Sequence, residues 1–207
     1  MNAYQRDIFR FLSIEHSAVI LDWGCGEGIE IDSLKRQGFL NVEGLDINPE
    51  FIRADITIDS DSIGFLERNI GRWDVIFARQ SIYYIPKDMQ KRLWKAFYAA
   101  LKPEGQLIVI VFNGAITTSE WILQKDHGIN FVLNEISLRT LGRSAGFTKN
   151  DVIGIKNEHR TPFGFLAAIL LNTYKILTNK LRYLSERGVD KQNPKFFTKS
   201  IALLAGK

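Results

Sequence analysis

The sequence predicts an α/β chain built on a doubly wound, mostly parallel seven-stranded sheet. Three observations carry that expectation. Val19-Ile20-Leu21-Asp22-Trp23 is a branched apolar run closing on an acid, the pattern of a parallel strand buried on both faces. Gly24, Gly26 and Gly28 follow on alternate positions and read as a sharp turn at the strand's carboxyl end, where open α/β sheets bind their ligands. From there to Ile155, strand-like apolar runs alternate with segments of helical periodicity.

The chain has 207 residues, and lengths of about 150–250 residues usually form one compact unit, so a single domain over 1–207 is expected. It divides into an amino-terminal helix (1–18), a ligand-binding core (19–155), a helical insertion (156–195) and a final strand (196–207). Apolar residues make up 45% and charged residues 24%, which implies a soluble, globular protein. The single cysteine, Cys25, excludes a disulfide framework and a cysteine zinc site, and no metal site is expected. Together with a charged amino terminus unlike a signal peptide, it points to a reducing, cytoplasmic setting. A net charge of +4 is mild: it favours solubility and pulls weakly toward anionic partners.

In chain order, Tyr4, Ile8, Phe11 and Leu12 fall at helical spacing and predict an amphipathic helix over Ala3 to Glu15. After the glycine turn, Ile29 to Gln37 reads as the first crossover helix, with Gly38 as its C-cap. Asn41 to Asp46 is the second strand, and its closing acid stands about 20 residues past the glycines, the separation at which a carboxylate accepts from ribose hydroxyls. Arg53 to Ile58 is a shortened route into the third strand, Asp59 to Gly71 a helix, and Arg72 to Ala78 the fourth strand. Asp88 to Leu101 is amphipathic, with Leu93, Trp94, Phe97, Ala100 and Leu101 inward. Leu101 to Ile110 leads into the fifth strand. Glu135 to Leu141 is a short helix stopped at Gly146, and Thr148 to Ile155 the sixth strand. The last strand, about Phe196 to Leu204, is expected antiparallel at the sheet edge.

Two long segments interrupt this alternation. Asn113 to Asn134 is too long for a simple link, and long ordered loops are often functional. It contains Asp126-His127, and a neutral imidazole suits proton abstraction from a hydroxyl when its pKa lies near working pH. A surface or capping histidine is the alternative. In the insertion, Phe163 to Leu171 is nearly continuous apolar sequence, continued by Tyr174, Ile176, Leu177, Leu181 and Leu184 at helical spacing. A spanning helix needs ~20 apolar residues, so Asn172, Lys175, Asn179 and Lys180 argue against one. A helix covering a cleft, a subunit contact through 163–187 and a peripheral membrane contact remain open.

The glycine spacing discriminates among ligands. A dinucleotide fingerprint, G-x-G-x-x-G, would need glycine where Ile29 stands. Here the order is D-x-G-x-G-x-G, and an acid at the strand end repels a pyrophosphate but suits a cation. Leu21 to Gly28 resembles the first motif of class I S-adenosylmethionine-dependent methyltransferases, and Gly44-Leu45-Asp46-Ile47-Asn48-Pro49-Glu50 their second. Trp73-Asp74-Val75-Ile76 is similar to their F-D-x-V signature, Leu101 to Gly105 to their L-K-P-G-G loop with Glu104 for one glycine, and Ala145-Gly146-Phe147 to their A-G-F step.

The resemblance implies a Rossmann-like methyltransferase fold with S-adenosyl-L-methionine as cofactor. Asp22, Gly24, Cys25, Gly26 and Gly28 would pass under its methionine part, beside the sulfonium, and Asp46 and Ile47 would hold the ribose end. Asp55 would accept from the adenine amino group, with Ile56 beside the ring. Arg79, at the tip facing the cofactor methyl, would be a further cofactor-binding residue. The sequence also departs from the family: the helix between the second and third strands is missing, and Ile82-Tyr83-Tyr84 replaces a common Leu-Glu-His. The Asn-Pro-Pro-Tyr type motif of base N-methyltransferases is lacking. His127 is then the candidate base, with Tyr83 or Tyr84 orienting the acceptor.

Across Asp126-His127, Glu135 to Phe147 and Pro194 to Lys207, the tail resembles methyltransferases found with bacterial surface-polysaccharide biosynthesis, which implies a small-molecule or sugar hydroxyl as acceptor. Three alternatives stay open. They are a non-catalytic cofactor-binding partner or sensor, a nicotinamide oxidoreductase, and a methyltransferase of RNA or another macromolecule. No basic run interleaved with aromatics supports nucleic-acid binding.

Overall fold

In the computed structural model, residues 14–114, 128–155, 170, 173–174, 177–178 and 200–207 are described. The chain runs β1 (Val19–Trp23), α1 (Ile29–Arg36), β2 (Asn41–Asp46), β3 (Ile56–Ile58), α2 (Ser62–Arg68) and β4 (Trp73–Arg79). It continues through α3 (Gln90–Ala100), β5 (Leu101–Phe112), α4 (Glu135–Ala145), β6 (Lys149–Ile155) and β7 (Ser200–Gly206). The seven strands form one sheet in the order β3-β2-β1-β4-β5-β7-β6. Strands β1 to β5 are parallel, and β7 runs antiparallel to both neighbours. The crossovers therefore diverge from β1, with β2 on one side and β4 on the other, and the crevice at such a switch point is where doubly wound sheets take ligands.

Helices cover both faces. On one, α1 turns Ile31 and Leu34, three residues apart, onto Ile20, Val42, Val75 and Phe77. On the other, Leu66 of α2, Leu93, Trp94 and Phe97 of α3 and Leu138 of α4 pack over Leu21, Trp23, Ile76, Leu107 and Val109. The helix ends follow local chemistry. Asn134 caps α4 by accepting from the Ser137 N–H at 2.9 Å, and Gly146 ends it in a left-handed conformation at φ 112°.

One expectation is corrected. The last strand is not at the edge, because β7 lies between β5 and β6. Burial explains the order: Ser200 to Leu203 are buried without interruption, whereas β6 alternates exposed and buried positions at its start, as an outer strand does. The third strand is short, Ile56–Ile58, at the end of the expected Arg53 to Ile58 route. Its approach is a single 3-10 turn, Pro49–Phe51, capped by Asn48, whose side-chain Oδ1 accepts from the Glu50 N–H at 3.1 Å. The expected amino-terminal helix lies almost wholly outside the described residues, as does the insertion apart from helical positions 170, 173–174 and 177–178. Among the described residues no helix is long and apolar enough to cross a membrane.

Candidate functional site

The turn after β1 is fixed from three sides. Gly24 and Cys25 donate their N–H groups to the Leu45 carbonyl at 2.8 and 3.2 Å. Gly26 donates to Asp46 Oδ2 at 2.8 Å, while Asp46 Oδ1 accepts from the Asn48 N–H at 2.9 Å. Gly24 has φ 71°, and a Cβ there would stand 2.4 Å from Ser81 Cβ, so no other residue fits between β1 and the chain leaving β4. Gly28 caps α1 at φ 77°, and a Cβ there would meet Arg53 Nη1 at 2.7 Å. Cys25 is buried, and that burial pushes its thiol pKa up, which makes it a packing residue rather than a nucleophile.

At the carboxyl ends of β1 and β4, on the face covered by α1, three charged side chains meet. Asp22 is 2% exposed, and its Oδ2 has no hydrogen-bond partner among the described residues. Burial raises its pKa well above the usual carboxylate range; Glu30 and, more weakly, Asp46 push the same way, while Arg79 opposes them. Glu30, in the first turn of α1, is buried, and desolvation raises its pKa against the pull of Arg79. Arg79 Nη2 lies 2.9 Å from Glu30 Oε1. Sequence reasoning missed Glu30, although an acid two residues past the last glycine was its visible signal.

The β2–β3 side holds a second ionic group. Arg53 reaches Asp32 Oδ1 at 2.7 Å, Asp55 Oδ2 at 3.0 Å and the Glu27 carbonyl at 2.9 Å. Lys35 donates to Asp55 Oδ2 at 2.5 Å. Burial raises the Asp55 pKa, but Lys35 and Arg53 outweigh it and leave the group below its ordinary value. Asp55 thus precedes β3, and its carboxylate is directed at α1 and Arg53 rather than lying at the strand's carboxyl end. The acid at that end is Asp59, whose N–H donates to the Asp46 carbonyl at 3.0 Å and whose Oδ2 accepts from Arg68 at 2.6 Å. Ile56 is buried beneath Gly28 and Gly44, while Ile47 is 56% exposed beside Asp46.

Beyond β4 the wall is amide and aromatic. Gln80 takes φ 55°, an uncommon conformation for a residue with a Cβ, while its N–H bonds the Ile110 carbonyl at 2.8 Å. Ser81 donates to the Trp23 carbonyl at 3.0 Å. The 3-10 turn Ile82–Tyr84 is held by two amides, one a few residues on and one remote in sequence. Gln90 donates to the Ile82 and Ile85 carbonyls at 2.9 and 3.1 Å, and Asn130 donates through its backbone to the Tyr83 carbonyl and through its side chain to that of Tyr84. Tyr83 is buried and stacked on Phe112, whereas Tyr84 is 45% exposed. His127 lies outside the described residues.

These features fit one ligand type. A buried, unpartnered carboxylate oxygen suits an ammonium or sulfonium. A carboxylate has about four acceptor positions, so Asp46 retains capacity for a vicinal diol after accepting two backbone N–H groups. An adenosyl group bearing a cationic amino-acid tail matches both, and the class so defined is that of S-adenosylmethionine-dependent transferases.

A methyltransferase domain family matches residues 1–152, and the chain belongs to that family; its cofactor is S-adenosylmethionine. An S-adenosylmethionine-dependent methyltransferase from Archaeoglobus fulgidus superposes with a TM-score of 0.70 at 15% identity, covering 98% of this chain and 92% of that one. A chain of the Haloferax volcanii complex between the Trm112 methyltransferase activator and a putative methyltransferase gives 0.68 at 14% identity, covering 99% and 88%. Haemonchus contortus phosphoethanolamine N-methyltransferase 2, in complex with phosphomonomethylethanolamine and S-adenosylhomocysteine, gives 0.62 at 19% identity. That match covers 98% of this chain but 52% of the enzyme's. At such identities the likeness shows the fold. No curated protein matches the chain.

Proposed function

We propose that the methyl acceptor is a hydroxyl of a small molecule or a sugar. The observation that carries this reading is the wall beyond β4: from Arg79 to Pro86 it bears no carboxylate, and it presents Gln80, Ser81 and an exposed Tyr84. Such a surface favours a neutral, hydrogen-bonding acceptor over a cationic amine. S-adenosylmethionine, when bound, supplies a methyl already activated by its sulfonium, so the protein's share is positioning and exclusion of water. Asp46 holds the ribose hydroxyls, Asp22 faces the positive charge, and the glycine turn lets the backbone approach closely. Tyr84 orients the acceptor, Tyr83 supports Tyr84 from beneath, and His127 takes the hydroxyl proton.

The test is a screen of labelled methyl transfer to nucleotide sugars, glycans and small alcohols, with amines and RNA as controls. Transfer to a hydroxyl is expected. Transfer only to amines or RNA would contradict the acceptor class, and cofactor binding without transfer to any acceptor would favour a non-catalytic sensor. In His127→Ala, turnover should fall roughly 100-fold or more with cofactor affinity intact, the usual effect of losing a general base. Unchanged turnover would remove His127 from the mechanism.

A further inference from the structure

We propose that Arg79, held in place by Glu30, receives the α-carboxylate of the cofactor's methionine part, so that the amino-acid end is read as a zwitterion. This rests on the assignment of S-adenosylmethionine to the site and names the group that each charge meets.

The placement follows from the strands. Asp22 pairs with Phe77 across β1 and β4, and Arg79 lies two residues beyond Phe77. Alternation along a strand puts Arg79 on the same face as Phe77, which packs with Ile31 of α1. Glu30, one residue before Ile31, meets the guanidinium there at 2.9 Å. The Glu30 side chain is 8% exposed and that of Arg79 30%, so the guanidinium is anchored on a buried acid and is itself still partly accessible at the carboxyl end of β4. A guanidinium carries five N–H donors in a planar fork, which leaves donors for a second carboxylate beside Glu30.

Charge balance points the same way. Asp22, Glu30 and Asp46 surround this end of the site, and an incoming carboxylate without a cation would be repelled by all three. Arg79 is the cation the structure places among them. The cofactor's ammonium then meets the unpartnered Asp22 Oδ2, and its carboxylate meets Arg79.

The experiment compares two ligands on the full chain by calorimetry: S-adenosylhomocysteine and its decarboxylated counterpart, S-adenosyl-3-thiopropylamine, which keeps adenosine, sulfur and ammonium. The wild type should bind the first roughly 10- to 100-fold more tightly, the range of a charge-assisted hydrogen-bonded pair. In Arg79→Met the affinity for S-adenosylhomocysteine should fall by about that factor, while the decarboxylated ligand changes by less than about threefold. Glu30→Gln, which keeps the guanidinium but loosens its anchor, should reduce the preference in part. Where Arg79→Met does not fold, Arg79→Lys serves, and it should retain a smaller preference through a single ammonium. Equal loss for both ligands, or a wild type with no preference, would overturn the proposal while leaving the cofactor in place. Failure of the wild type to bind either compound would overturn the cofactor assignment itself.

Discussion

At the β1–β2 end of the crevice the walls are charged and close in sequence. Asp22, Glu30 and Asp46 lie within one βαβ unit, and the turn between them is tied by its own backbone to Leu45 and Asp46. Past Arg79, at the β4–β5 end, the walls are neutral and are held by amides: Gln90 at the start of α3 and Asn130 from beyond β5 clamp the Ile82–Tyr84 turn. The first construction suits a ligand that never changes, because fixed carboxylates and a rigid turn match one charge pattern. The second suits an acceptor that differs from one family member to the next, because amide clamps present a turn without dictating its side chains.

Substitutions that injure one end and spare the other can break this contrast. The largest effect is expected from Gly24→Ala. It forces a Cβ to within 2.4 Å of Ser81 Cβ at a positive φ. Left-handed strain and overpacking together cost about 2–4 kcal/mol. Urea unfolding should show that loss, together with failure to bind cofactor. Gln90→Leu comes next. It removes the side-chain donor to the Ile82 and Ile85 carbonyls and the acceptor of the buried Trp94 indole N–H, a loss of about 1–3 kcal/mol. Cofactor affinity should stay near wild type while the KM for the acceptor rises. A parallel loss of cofactor binding would show that the two ends are not separable.

The smallest effect on stability is a gain. Asp22 has a folded-state pKa raised above its unfolded value, so ionising it costs stability. That cost is absent below the unfolded pKa and grows as pH rises toward the folded pKa. Asp22→Asn should therefore be more stable than wild type at neutral pH by about 1 kcal/mol and equal to it near pH ~3. Thermal melts across pH measure this, and the same variant should bind cofactor more weakly. A variant less stable at neutral pH would show that Asp22 is structural rather than poised for a cation.

The contrast also explains what the sequence could and could not tell. The turn after β1 and its flanking strand ends were legible because their places are set by the backbone that carries them. A strand-end acid, alternate glycines and a second strand-end acid have fixed spacings, and the structure puts them where those spacings imply. Asp55 was harder. The missing helix between β2 and β3 shifts the strand, so the acid at its carboxyl end is Asp59, while Asp55 is neutralised by Arg53 and Lys35. Only pairing with β2, where Ile56 stands opposite Gly44, sets that register. Glu30 was overlooked because a helix-start acid is ordinary on its own; its burial against Arg79 is a tertiary fact. Likewise, periodicity could not tell that Tyr83 faces inward and Tyr84 outward, because both lie in one three-residue 3-10 turn, too short to show a repeat. The inner position of β7 was visible only as an apolar run, which suits either an interior strand or an edge covered by another segment.

The most direct test of the central claim, that the β1–β2 end binds S-adenosylmethionine through Asp46, is calorimetric titration of S-adenosylhomocysteine into wild type and Asp46→Ala, with a nicotinamide dinucleotide as control. The expected result is one-site binding by the wild type, an affinity at least roughly tenfold weaker in the variant from loss of charge-assisted hydrogen bonds, and no response to the dinucleotide. Absence of binding to the wild type, or equal binding by both proteins, would contradict it.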